Sequence, residues 1–148
     1  MLKEPLIEIF ERDLNRLINE INLYKDENNL WITQAGISNS AGNLTLHLLG
    51  NLNYYIGAGL GHTGYVRHRD DEFTLKNILR ADLITNIQNC ILIVKKSMGN
   101  LSASDFEKDF PIDVFGKPST TIFILLHLTT HLTYHLGQIN YHRRLLQA

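Results

Sequence analysis

Disulfides, a sizeable net charge and long apolar runs are all missing from this chain of 148 residues. Its one cysteine, Cys90, excludes an internal disulfide. That fits a reducing compartment and predicts a cytoplasmic protein. Cys90 itself reads as a small buried hydrophobe rather than a reactive thiol. Lys plus Arg number 14 and Asp plus Glu 15, giving a formal charge of -1 at pH 7. No basic field exists to attract a phosphate backbone, so no nucleic acid partner is expected. The most apolar run, Ile122 to Leu126, is far shorter than the roughly 20 residues a bilayer span needs. No membrane partner is expected either. The opening Met1-Leu-Lys-Glu-Pro-Leu lacks the charged-then-apolar pattern of a secretory signal. Only three prolines occur, and Gly, Asn and Thr cluster between periodic segments. Together these features predict an all-α protein. The length predicts one domain over 1–148, with a core that requires neither disulfide nor metal as a staple.

Four segments carry helical periodicity. Leu6, Ile7, Phe10, Leu14, Leu17, Ile18 and Ile21 follow a 3-4 spacing, which predicts a first amphipathic helix over Pro5–Tyr24. Trp31 lies in an aperiodic stretch from Leu30 to Asn39 and reads as a plug at one end of a bundle. Ser38-Asn39-Ser40 offers N-caps for a second helix over Ala41–Ile56. Four glycines between Gly57 and Gly64 should end it. They lack the lysine of a phosphate loop and the strand context of a dinucleotide fold, so nucleotide binding is not expected. Leu75, Ile78, Leu79, Leu83, Ile87, Ile91 and Val94 predict a third helix over Thr74–Met98, capped by Thr74. A fourth follows from Thr120. The connections 57–73 and 101–119 exceed the usual length for neighbouring helices of about 2–8 residues. The expected architecture is a four-helix bundle in which the long second connection favours up-down-down-up order.

Thr120 to Ala148 carries the chemistry. His127, His131 and His135 recur every four residues, so they stack on one helical face. With His127 at 0°, His131 falls at about 40° and His135 at about 80°, beside an apolar stripe of Leu125, Leu128, Leu132 and Leu136. His47 shares a face of the second helix with Leu44, Leu48 and Asn51. Taken alone, a histidine there is more often a core residue than a ligand. With a pair elsewhere requiring a third, His47, His131 and His135 become candidate metal ligands. Three imidazoles with a position left open are the catalytic zinc pattern. Nickel, iron or manganese also suits such a set. From Ser119 onward there is no Asp or Glu, so this is not the HExxH arrangement. The base must then be a metal-held water or thiol, or one of Asp70, Asp71 and Glu72 folded over the pocket. Asn51 is placed to orient the His47 ring. Gln138 reads either as a neighbour of the site or as a buried polar group. His127 reads as an outer neighbour rather than a ligand. Gly137 reads as a point of close approach. His62, His68 and His142 read as surface residues, and Arg143-Arg144 as a solvated helix end.

Three stretches carry a resemblance. They are Ser40-Ala-Gly-Asn43-Leu-Thr-Leu-His47-Leu-Leu-Gly-Asn51-Leu, Arg69-Asp-Asp-Glu-Phe73, and His131-xxx-His135-Leu-Gly137-Gln138-Ile139. In order and spacing the chain resembles the DinB/YfiT-like superfamily. The resemblance implies an up-down-down-up bundle, a divalent metal held by His47, His131 and His135, and a homodimer. It also implies one of several chemistries. Relatives include transferases that attach low-molecular-weight thiols to electrophiles, thiol-dependent isomerases, and proteins described as metal-dependent hydrolases. The partners expected are a small thiol and a small electrophilic substrate. Two other readings stay open: a metal-stabilised stress-response or binding module, and an apo bundle with core histidines.

Overall fold

The computed structural model describes residues 2–147. These residues form five α-helices, four of them long, and among them there is no strand. Helix α1 spans Lys3–Asn22 and buries Leu6, Phe10, Leu14, Leu17 and Ile21. That is the stripe its spacing dictates. Asp13 is also fully buried. Its carboxylate accepts from Arg12 Nε at 2.8 Å, Arg16 Nη1 at 3.3 Å and Thr133 Oγ1 at 2.9 Å, so its charge is paired rather than stranded. A short 3₁₀ turn follows at Glu27–Trp31. Trp31 packs on the first turn of the next helix, where a Cβ on Gly42 would lie 2.6 Å from the indole.

Helix α2 spans Ala41–Leu52, and Ser40 Oγ caps it by accepting from the Asn43 N–H at 3.2 Å. The helix does not leave the bundle at the glycines as expected. It continues as a π-helical segment, Asn53–Leu60. The reason is packing rather than propensity. This segment lies against the fourth of the five helices, where a Cβ on Gly61 would stand 2.0 Å from Ser97 Oγ and one on Gly57 3.1 Å from Ile93 Cγ2. The absent side chains let two backbones approach, and that outweighs the intrinsic cost of glycine in a helix.

Helix α3, Arg69–Thr74, is short. Helix α4 spans Arg80–Gly99 and therefore starts six residues later than the expected Thr74. Asn77 breaks the pattern with φ of 59°, a left-handed conformation that asparagine tolerates. Leu75 and Leu79 precede the helix and are 47% and 60% exposed, whereas Leu83, Ile87, Ile91, Val94 and Cys90 are buried. After a 3₁₀ turn at Ala103–Glu107, helix α5 runs Thr121–Leu146 and is capped by Thr120. Ala148 lies outside the described residues.

Polar ties set the relative directions. Lys3 Nζ donates to Gly99 O at 3.2 Å and Leu101 O at 3.0 Å, and Arg80 Nη2 donates to Tyr24 O at 2.5 Å. The start of α1 thus meets the end of α4, and the two run antiparallel. Asp13 meets Thr133, and Glu20 meets Asn140 and Arg143, so α1 and α5 run parallel. Arg143, expected in solvent, is held at 2.8 Å by Glu20. His142, also expected at the surface, is buried. Its Nε2–H donates to Ile32 O at 2.8 Å, and its Nδ1 lies 2.6 Å from the Tyr24 hydroxyl. Counting helix faces puts it outside because the 23–40 connection, which covers it, has no periodicity to read.

Candidate metal centre

Helix α2 presents His47, and two adjacent turns of α5 present His131 and His135. The cross-helix contact joins residues far apart in sequence, yet the side chains converge. His47 Nε2 and His131 Nε2 are 3.2 Å apart, as are His135 Nε2 and His131 Nε2. One ligand atom from each of the three lies within 4.8 Å of the others. Two nitrogens each about 2.0–2.1 Å from one ion stand roughly 2.8–3.4 Å apart across octahedral to tetrahedral angles. The two separations that run through His131 fall in that range, so the three histidines could hold a metal ion.

The outer hydrogen bonds decide which nitrogens face inward as lone pairs. His47 Nδ1 lies 3.0 Å from Glu72 Oε1. An ionised carboxylate only accepts, so this nitrogen carries the proton and Nε2 is left as a lone pair. His135 Nδ1 lies 2.6 Å from Gln138 Oε1, with the same result. A single proton on His131 Nε2 could satisfy one of its two neighbours and not both. A cation satisfies all three, and the donor set therefore fits a divalent ion. Its nature as three neutral nitrogens does not select among zinc, nickel, iron and manganese.

Glu72 anchors this arrangement. It is 5% exposed and sits in a fork made by Arg67, whose Nε reaches Oε2 and whose Nη2 reaches Oε1, both at 2.8 Å. Burial pushes the carboxyl up, but the Arg67 guanidinium and His47 outweigh it and hold Glu72 below the usual carboxylate range. Gly50 makes room, since a Cβ there would lie 1.9 Å from Glu72 Oε2. The backbone of the acidic segment is pinned as well: Asn43 Nδ2 donates to Glu72 O at 3.0 Å and to Leu75 O at 2.9 Å. Helix α3 is thus clasped onto α2 from both sides of Glu72.

The structure therefore puts Glu72, rather than Asn51, against the His47 ring. The Asn51 side-chain oxygen is buried without a hydrogen-bond partner, as is His131 Nδ1. Gln138 touches His135 directly. His127 stands outside the three-histidine group, with its ring centroid 6.1 Å from His131 and 4.8 Å from Phe115. Asp70 and Asp71 are exposed. Gly137 faces open space, so no neighbouring element approaches it. Sequence reasoning misses Arg67 and Gly50. The available signal is a glycine three residues after His47, inside an otherwise strong helix.

Burial and the neighbouring histidine and arginine charges push His131 down to about 4, and burial also lowers His135. Both shifts favour the uncharged imidazole near neutral pH, the form a metal requires. Linkage fixes the sign for the metal-free protein. Above about pH 6.5 neither the folded nor the unfolded His131 is charged, and stability is unaffected. As pH falls from about 6.5 toward 4, the unfolded chain binds protons that the folded site refuses, so stability drops. Urea unfolding of metal-free protein at pH 7.5, 6.0 and 4.5 is expected to give a falling midpoint, and the fall should be smaller for His131→Ala. A flat profile would place His131 in solvent.

These features define an all-helical protein with a candidate three-histidine metal site. The chain belongs to the family described as proteins of unknown function, DUF1572, whose profile matches residues 7–148. A comparison with curated proteins finds no match. Among the described residues no helix is long and apolar enough to cross a membrane.

Proposed function

We propose that this protein binds a divalent metal through His47, His131 and His135 and uses it as an enzyme. It would activate a small thiol or water for attack on a small electrophile, as a thiol S-transferase does. The observation that carries this reading is the convergence of three Nε2 atoms with no proton able to serve all of them. A bound divalent ion supplies a Lewis acid that keeps a thiol or water deprotonated near neutral pH. Glu72 and Gln138 fix the rings of two ligands, and Arg67 keeps Glu72 ionised and in place. No fourth histidine, cysteine or carboxylate joins the group among the described residues, which favours an open site over a closed structural one.

The wider reading is a single-domain, up-down-down-up four-helix bundle of the DinB/YfiT-like kind. It is supported by antiparallel α1 and α4, parallel α1 and α5, and the His47–His131 pairing that brings α2 beside α5. We place it in the cytoplasm as a homodimer. The exposed Tyr141 and Leu145 on α5 offer apolar surface for a second copy. Zinc and nickel are the favoured ions, with iron or manganese as alternatives. A metal-dependent hydrolase, or a metal-stabilised module without catalysis, is the second reading.

Elemental analysis of purified protein is expected to find about one divalent ion per chain. Cobalt substitution should then give a visible spectrum that gains a sulfur charge-transfer band when a small thiol is added. A cobalt spectrum blind to thiols, in a protein whose melting temperature collapses with chelator, would favour the structural module.

A further inference from the structure

Each of the three histidines has another aromatic ring at its side. Phe73 lies 5.1 Å from the His47 centroid and Tyr134 5.3 Å from His135. His127 lies beside His131, and Phe115 meets His127 edge-on at 4.8 Å while standing 5.9 Å from Phe123. The rings come from three places in the chain: α3, the connection before α5, and α5 itself. On α5, Phe123, His127 and Tyr134 fall within about 40° of one another, just outside the face that carries His131 and His135. They therefore flank the histidine face of α5, and Tyr134 also lines the pocket that reaches His135.

Two properties of these rings matter. Phe115, Phe123 and Tyr134 are 42%, 54% and 65% exposed. Phe115 and Phe123 pair at one end of the histidine run, and Tyr134 stands beside His135 at the other. No carboxylate or lysine lies on α5. The charged side chain seated on a ring of the group is Arg69, whose guanidinium carbon is 5.7 Å from the centre of Phe73. A charged substrate body would meet no counter-charge on α5 before Arg143 and Arg144 in its last turn, and would lose its hydration there. A flat apolar body would meet ring faces and edges on several sides.

We propose that this aromatic collar is the recognition surface of the site, and that it selects substrates whose reactive group is attached to an uncharged aryl or similarly flat apolar body. The proposal rests on the metal reading above and names its substrate class.

The test uses two metal-binding probes with the same hydroxamate head, benzohydroxamate and acetohydroxamate, titrated calorimetrically into zinc-loaded protein. The phenyl compound is expected to bind about tenfold more tightly, the advantage that one or two aromatic contacts supply. In the Phe115→Ala, Tyr134→Ala double variant the advantage should fall to about twofold, with acetohydroxamate affinity and zinc content unchanged. Both residues are exposed, so folding is not at stake. Equal binding of the two probes by the unaltered protein overturns the collar while leaving the metal reading intact. So does a phenyl preference that survives the double variant. Failure of the unaltered protein to hold zinc or either probe overturns the metal reading, and the collar with it.

Discussion

His131→Ala is expected to abolish stoichiometric metal retention, because His131 is the hub of the cluster. Both 3.2 Å nitrogen contacts run through its Nε2. Removing it leaves His47 and His135 without the nitrogen between them. Loss of a partner outside the ligand set typically weakens metal binding about 10–100-fold, and loss of a direct ligand should exceed that range. Competition with a coloured chelator measures the change. Circular dichroism should report unchanged helix content, since the length of α5 and its capping by Thr120 are untouched. The informative contrast is His127→Ala. It removes an imidazole from the same face of the same helix, yet should leave affinity within about twofold, because His127 lies outside the converging group. Equal losses in the two variants would mean that the whole run of histidines binds metal loosely, and the three-ligand assignment would be wrong.

Glu72→Ala should produce the largest stability change away from the apolar core. The Arg67 side chain is 10% exposed and the Glu72 side chain 6%. Deleting the carboxylate strands a buried guanidinium, and breaking a buried pair from one side costs about 3–5 kcal/mol. The same change frees the His47 ring to adopt the other tautomer, so metal affinity should also fall about 10–100-fold. Glu72→Gln separates the two effects. It keeps the shape that fits beside Gly50 and one acceptor oxygen, but it cannot neutralise Arg67. Its unfolding midpoint in urea is expected to lie between those of Glu72→Ala and the unaltered protein. Its metal affinity should recover partly if the introduced amide oxygen accepts the Nδ1–H of His47. If Glu72→Ala unfolds at the same urea concentration as the unaltered protein, the clasp contributes nothing and α3 is held by other means.

The three-histidine group is legible because it obeys rules that live within one helix. His131 and His135 are four apart, and His47 shares a face with Leu44 and Leu48. The apolar stripes of α1 and α5 are readable for the same reason. What cannot be read is set by contacts between distant segments. Glu72 follows two exposed aspartates, and as a string Asp70-Asp71-Glu72 resembles any solvated loop. Only the notch at Gly50, 22 residues earlier, distinguishes it. Propensity assigns the glycines at 57–61 to a loop, whereas proximity to Ser97 and Ile93 keeps them helical. His142 is misplaced by helix-face counting because Ile32 and Tyr24, which bury it, lie more than 100 positions away. The start of α4 slides because Leu75 and Leu79 imitate a helical repeat that Asn77 interrupts.

The pairing of His47 with His131 spans 84 positions. Closing so long a loop carries an entropic cost that must be met before any local gain is returned. Until α5 docks, the clasp of Arg67, Glu72 and Gly50 can form around His47 alone, a half-site with one imidazole and no partner. The three candidate ligands are therefore together only once α5 has docked against α2. Among partly assembled forms of this chain, tight metal uptake would mark those in which the last helix has already come home.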